Sequence, residues 1–171
     1  EYGKTTRVEC LTTAANELFT LEIYHGWAPL GAQRFIDLVN ADYFTDVAFF
    51  RCVTNVLVQF GISSDPALSK HWSSKGPILD DPSLGIPFTR GMLSFAGSGP
   101  NSRTTQLFIT FRDLNFLGSP KAPWEVPFGV VTHGMDTVVD QLYQGYGDQD
   151  NFNPGGVNQE KLLRVGNEYL R

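Results

Sequence analysis

Residues 91–110, GMLSFAGSGPNSRTTQLFIT, carry the most ordered pattern in this chain. Apolar residues dominate two short runs, Met92–Phe95 and Gln106–Thr110, and the segment between them is rich in glycine, serine and asparagine. Short runs of this kind bounded by turn-forming residues are typical of β-strands. The stretch therefore predicts two strands joined by a loop that begins with Ala96 and Gly97.

Further elements are predicted on both sides of this pair. Alternation of apolar and polar residues predicts a strand around Phe19–Ile23, and helical spacing predicts a first helix that opens at Pro29 and a second over 135–143. Residues 63–90, which include Asp80-Asp81, are predicted to form a long loop with solvated carboxylates. Other strands are predicted at Arg7–Leu11, Val47–Val53, Leu57–Ile62 and Phe128–Thr132, with a closing strand from Lys161.

The composition excludes several functional classes. The 171 residues are 42% hydrophobic and 18% charged, which is typical of one ordinary globular domain. No apolar run approaches the length of a membrane span. The formal net charge is −5 and lysine and arginine form no cluster, which argues against a nucleic-acid partner. Histidines and cysteines show no metal-ligand spacing, so no metal is expected.

The two cysteines, Cys10 and Cys52, are too few for a disulfide framework. We interpret them as small buried hydrophobic residues, and a single bridge in an oxidising compartment is the alternative. The chain starts at Glu1 rather than Met, which is consistent with a removed targeting segment. The compartment stays unknown, with a preference for a lumenal, secreted or periplasmic setting.

Strand alternation places several functional side chains on the same side of their strands, opposite the aliphatic faces. Arg51 lies in an aromatic strand, Leu57 and Gln59 share a face of the next strand, and Gln106 and Phe108 share a face of a third. An arginine in such a strand is unusual. It is either a salt-bridged edge residue or a functional side chain.

Three motifs in order resemble the cyclophilin family of peptidyl-prolyl isomerases. They are Phe49-Phe50-Arg51, Gln59-Phe60-Gly61, and the stretch 91–110 with its GPN turn and its QLFI sequence. Residues 29–35 also resemble the family's first helix, and residues 127–131 resemble part of its last third. The resemblance is strongest over residues 18–145, and we expect a single cyclophilin-like domain over 1–171.

The resemblance implies a mostly β fold, namely a closed eight-stranded antiparallel β-barrel capped by two α-helices. It also implies catalysis of rotation about Xaa-Pro peptide bonds in protein folding, with no cofactor. Rotation breaks C–N resonance, which sets a barrier of about 18–20 kcal/mol. The implied partners are proline-containing polypeptides, and a monomer is expected.

The resemblance also implies the roles of individual residues. Arg51 would stabilise the twisted amide, because a guanidinium offers several rigid and permanently charged donors. Gln59 would hold the carbonyl side and support the arginine. By the resemblance, the substrate-binding residues are Val56, Leu57, Phe108 and Leu117 around the proline ring, Ala96, Gly97 and Gln106 along the peptide, and Phe116. Either Trp124 or Glu125 would replace the family's histidine at this site.

Several positions depart from the family pattern. Thr54-Asn55 replaces the usual Pro-Gly, and Val56 and Leu57 replace the usual Phe and Met. Leu in place of Met keeps the volume nearly constant, whereas Val in place of Phe should loosen the proline slot. Gly97 stands where many members have Asn. Phe116 stands where many members have a Trp that donates its indole N–H to cyclosporin, so we expect weak cyclosporin binding. The alternative function is a catalytically weak module that binds proline-containing segments of a partner protein.

Overall fold

The structure is a computed structural model that describes residues 3–148 and 156–171. Within these ranges the fold is mostly β, with three α-helices and two short 3₁₀ turns. The strands are β1 (Thr5–Leu11), β2 (Leu18–Tyr24), β3 (Arg51–Val53), β4 (Leu57–Phe60), β5 (Met92–Phe95), β6 (Leu107–Thr110) and β7 (Gly129–His133). The helices are α1 (Pro29–Asn40), α2 (Pro66–Ser74) and α3 (Gln159–Val165), and the 3₁₀ turns are Val139–Gln141 and Gly166–Leu170. No helix in the described ranges is long and apolar enough to cross a membrane.

The seven strands form one antiparallel sheet in the order β1-β2-β7-β5-β6-β4-β3. The expected closed barrel of eight strands is therefore wrong, because this sheet is open and ends at β1 and β3. The outer edge of β3 is covered in part by a loop: the Cys52 N–H donates to the carbonyl of Gly147 at 3.1 Å.

The segment expected to close the barrel from Lys161 is helix α3 instead. The Asn158 side chain accepts a hydrogen bond from the Lys161 N–H at 2.9 Å and so caps the first turn. Gly166, with φ of 74°, ends the helix. Leu162 is buried with Phe50 and Ile62. These cap residues favour a helix over the strand that the apolar residues alone indicated.

The structure also contradicts two other predictions about helices. Helix α2 lies in the stretch that was expected to be only loop, where Asp65 accepts a hydrogen bond from the Ala67 N–H at 2.9 Å and Pro66 begins the helix. Residues 135–143, which were expected to form a helix, form only the 3₁₀ turn Val139–Gln141, and the backbone is extended again at Leu142. The fold therefore has three helices rather than the two expected.

Neighbouring residues on the central strands face two different apolar clusters. Val58 of β4 and Ile109 of β6 belong to the main core, which packs against α1 and α2. Leu57 and Phe108, next to them in sequence, belong to a second cluster on the other side of the sheet. The predicted separation of faces is therefore confirmed for these strands.

A buried ion pair fixes the loops that flank β5. The Asp81 carboxylate accepts from the backbone N–H groups of Leu30 and Gly31, each at 2.9 Å, and so caps α1. Arg103 Nη1 donates to Asp81 Oδ2 at 3.1 Å, and both side chains are 1% exposed. The expectation that Asp81 is solvated is therefore wrong. The residue that precedes helix α1 is Ala28, whose side chain cannot accept a hydrogen bond, so the Asp81 carboxylate caps the helix instead.

Both cysteines are free thiols in the structure. Cys52 is buried, and Cys10 on β1 is partly buried against the main core. Burial raises the pKa of the Cys10 thiol to about 12. The interpretation as small hydrophobic residues therefore describes the folded chain.

The Cys10 thiol is expected to make stability fall at alkaline pH. The unfolded chain loses this proton near pH 8.5–9, whereas the folded chain keeps it to about pH 12, so its contribution is complete below pH 8.5 and declines as pH rises to about 12. The slope approaches about 1.4 kcal/mol per pH unit. Urea unfolding at pH 7–10 should show a shallower decline for Cys10→Ala than for wild type. Equal declines would contradict this assignment.

Candidate active site

A chain of side-chain hydrogen bonds crosses the outer face of strands β3, β4 and the start of β6. Arg51 lies directly opposite Gln59, and Gln59 lies opposite Phe108. Arg51 Nη1 donates to Gln59 Oε1 at 2.9 Å, and Gln59 Nε2 donates to Gln106 Oε1 at 2.7 Å. The register therefore places both predicted catalytic residues and one predicted binding residue in one connected group.

The second acceptor for Arg51 is Asp148, which sequence reasoning missed. Arg51 Nε donates to Asp148 Oδ1 at 2.5 Å, and the two side chains are 28% and 19% exposed. The partners are 97 residues apart in the chain, and no sequence pattern joins them. Both proposed readings of Arg51, as a salt-bridged edge residue and as a functional side chain, are thus compatible in one geometry.

An apolar cluster lies on the same face of the sheet. It brings together the predicted residues Val56, Leu57, Ala96, Phe108 and Leu117. Other members of this cluster were not predicted from the sequence, among them Phe88, Met92 and Leu114. The alternating pattern of β5 does point Met92 to this face, whereas Phe88 and Leu114 come from loops and carry no such signal.

The loop after β5 brings Ala96 and Gly97 beside Gln106. The Ala96 N–H donates to the Gln106 carbonyl at 2.9 Å, which extends the β5–β6 pairing by one step. A Cβ on Gly97 would lie 2.8 Å from Trp124 Cδ1 and 2.8 Å from Ser102 Oγ. The Trp124 ring thus occupies the space that a side chain at position 97 would need.

The loop 116–125 contains the remaining predicted residues. Phe116 is 52% exposed and, unlike Leu117, does not pack in the apolar cluster. The Gly118 N–H donates to Glu125 Oε2 at 3.4 Å, and burial raises the pKa of the Glu125 carboxyl. Trp124 therefore lies beside Gly97, whereas Glu125 binds the backbone of Gly118, the residue after Leu117.

The chemical character of the site follows from these groups. Among the described residues, no three His, Cys, Asp or Glu side chains come together as a metal site. The arrangement offers a permanently charged donor, held at two points, next to an apolar surface. Such a site can bind a ring through apolar contact and donate hydrogen bonds to an adjacent polar group, without a nucleophile.

Comparisons with known proteins identify one family. Residues 8–160 match the family described as cyclophilin type peptidyl-prolyl cis-trans isomerase/CLD. A peptidyl-prolyl cis-trans isomerase of Acinetobacter baylyi is 35% identical over 80% of this chain and 71% of its own length. Peptidyl-prolyl cis-trans isomerase A of Dickeya dadantii is 30% identical over 84% of this chain and 75% of its own length.

The fold is also similar to a solved structure. A crystal structure of a cyclophilin type peptidyl-prolyl cis-trans isomerase from Cryptosporidium parvum has a TM-score of 0.64. It is 23% identical, and the match covers 81% of this chain and 84% of that chain. From the family match and the two bacterial relatives, this chain belongs to the cyclophilin-type peptidyl-prolyl cis-trans isomerases.

Proposed function

We propose that this isomerase rotates Xaa-Pro bonds on the outer face that carries Arg51, Gln59 and Gln106. The single observation that supports this placement is the hydrogen-bonded chain from the guanidinium to Gln59 and on to Gln106. Donors that are held in place before the substrate arrives need no reorganisation during the reaction. The connected group lies beside the apolar cluster, where a proline ring can be held.

The twisted amide differs from the planar one in a way that a guanidinium can recognise. When the C–N bond rotates, resonance is lost and the proline nitrogen regains a lone pair. Arg51 would donate to that nitrogen and to the proline carbonyl. Only interactions that are stronger in the twisted state than in the planar state raise the rate. Each tenfold gain in rate requires about 1.4 kcal/mol of such preference.

The apolar cluster would fix one half of the substrate so that the other half turns. Val56, Leu57, Phe108 and Leu117 would contact the proline ring, while Ala96, Gly97 and Gln106 would lie along the peptide. A further structure of the Cryptosporidium parvum protein, with a TM-score of 0.63, was determined in the presence of the dipeptide Ala-Pro. An Ala-Pro unit is accordingly a suitable minimal ligand for this chain.

The test is NMR exchange spectroscopy on a short peptide with one Xaa-Pro bond, with and without catalytic amounts of the protein. Uncatalysed exchange takes tens of seconds, so a catalysed rate is readily separated from it. Acceleration, together with peptide-induced shifts at Gln59 and Phe108, would support the proposal. Shifts without acceleration would favour the proline-binding module instead, and acceleration without shifts on this face would contradict the placement of the site.

Phe116 is expected to make cyclosporin binding weak. A phenylalanine offers no hydrogen-bond donor at the place where the family's tryptophan supplies one, and one such bond contributes about 0.5–1.5 kcal/mol. Phe116→Trp should therefore strengthen binding by up to about tenfold in a calorimetric titration, while Phe116→Leu should not. Tight binding by the wild-type chain would refute this prediction.

A further inference from the structure

Asp148 is held against the edge of β3 by its own loop. The Gly147 carbonyl accepts from the Cys52 N–H at 3.1 Å, and the Gly147 N–H donates to the Gln144 carbonyl at 3.1 Å. Tyr146 packs in the cluster that contains Phe50. The position of the Asp148 backbone is thus set by bonds to the strand that carries Arg51, rather than by the ion pair alone.

The Asp148 carboxylate contacts the inner end of the guanidinium. It accepts from Nε, whereas Gln59 accepts from Nη1, so the planar group is held on two sides. A guanidinium has five N–H donors. Among the described residues, the bond to Asp148 uses the one on Nε and the bond to Gln59 uses one of the two on Nη1. Three N–H donors therefore stay available, including both on Nη2, and the ion pair does not block the end that would meet a substrate.

The charge of Asp148 also offsets the partial burial of Arg51. Removing a charged group from water is unfavourable unless an opposite charge and hydrogen bonds compensate. Arginine has many rotamers, and its side chain loses conformational entropy when it is fixed in one of them. In the folded enzyme this loss is already met by the bonds to Asp148 and Gln59, before the substrate binds.

We propose that Asp148 is a positioning residue for Arg51: its carboxylate fixes the plane of the guanidinium through Nε and leaves the terminal amino groups for the substrate. This inference rests on the proposed role of Arg51. It predicts that Asp148→Ala lowers kcat/KM for an Xaa-Pro peptide by about tenfold, mainly through kcat, because misplaced catalytic groups are costly even when they are present. Asp148→Asn keeps an oxygen acceptor and should stay within about threefold of wild type.

A spectroscopic readout separates positioning from a general structural role. The Arg51 Nε–H resonance should exchange slowly with water in the wild type and in Asp148→Asn, and rapidly in Asp148→Ala. In the Arg51→Ala background, Asp148→Ala should cause less than about a twofold further loss of kcat/KM, because its effect passes through Arg51. Glu160→Ala, which removes an exposed carboxylate on α3, serves as the charge control and should leave the rate unchanged.

The outcomes distinguish this inference from the proposed function. If Arg51→Ala keeps wild-type activity, the proposed function fails. If Arg51→Ala loses activity while Asp148→Ala does not, or while Asp148→Ala is faster than wild type, only the positioning role fails. An equal loss from Asp148→Ala in both backgrounds would also overturn it. Should Asp148→Ala fail to fold, the Nε–H exchange and kcat of Asp148→Asn and Asp148→Leu decide the question.

Discussion

Arg51→Ala is expected to lower kcat/KM for a short Xaa-Pro peptide by at least about 100-fold. Removal of one fixed donor that stabilises a transition state typically costs 10²–10³-fold in rate, or about 2.7–4 kcal/mol. The loss should fall on kcat rather than KM, since the apolar cluster that would hold the proline ring is untouched. Exchange spectroscopy at several peptide concentrations separates the two parameters.

Arg51→Lys is the matched variant for this test. It keeps the positive charge but lacks the planar fork that donates to Gln59 and Asp148 at the same time. We therefore expect it to recover less than about a tenth of the lost rate. Full activity in Arg51→Lys would show that charge alone is sufficient, and full activity in Arg51→Ala would remove Arg51 from the mechanism.

Asp81→Ala is expected to destabilise the fold by about 3–5 kcal/mol, the usual cost of breaking a buried ion pair by removing one partner. The variant leaves the Arg103 guanidinium buried without its counter-charge, and Nε of Arg103 is already buried without a hydrogen-bond partner among the described residues. It also removes the cap from the N–H groups of Leu30 and Gly31. Urea unfolding measures the loss as a lower midpoint.

The neighbouring carboxylate provides the control. Asp80 makes a more exposed pair of hydrogen bonds with Asn101: its side chain accepts from the Asn101 N–H at 2.9 Å, and its own N–H donates to the Asn101 side chain at 2.8 Å. Asp80→Ala should cost about 1 kcal/mol or less. Equal midpoints for the two variants would show that the buried ion pair contributes nothing beyond a surface contact.

The sequence was most informative where a side chain's neighbours lie on adjacent strands. Strand alternation placed Arg51, Gln59, Gln106 and Phe108 opposite the aliphatic faces of their own strands. The register of β3, β4 and β6 then brings Arg51, Gln59 and Phe108 side by side on one face. A period of two residues is a local property, so it is legible without tertiary information. The functional roles came from the resemblance to the family, not from this alternation.

Contacts between distant loops could not be predicted in the same way. Asp148 meets Arg51, and Asp81 meets Arg103, through loops whose paths depend on the whole fold. The strand predicted from Lys161 was wrong because apolar residues near Leu162 suit a strand and a helix alike. The helix was legible only from its caps, Asn158 and Gly166. Asp65-Pro66 was the corresponding signal for α2.

The buried ion pair between Asp81 and Arg103 at the start of α1 also restricts how this sequence can change over generations. A Cβ on Gly31 would lie 2.9 Å from Arg103 Nη1 and 3.4 Å from Asp81 Oδ2, so a side chain at position 31 would force the ion pair to shift. Loss of either charge leaves the other one buried without a counter-charge. Homologues that lose Asp81 or Arg103 are therefore expected to have replaced the partner as well, and homologues that keep both charges should keep Gly31.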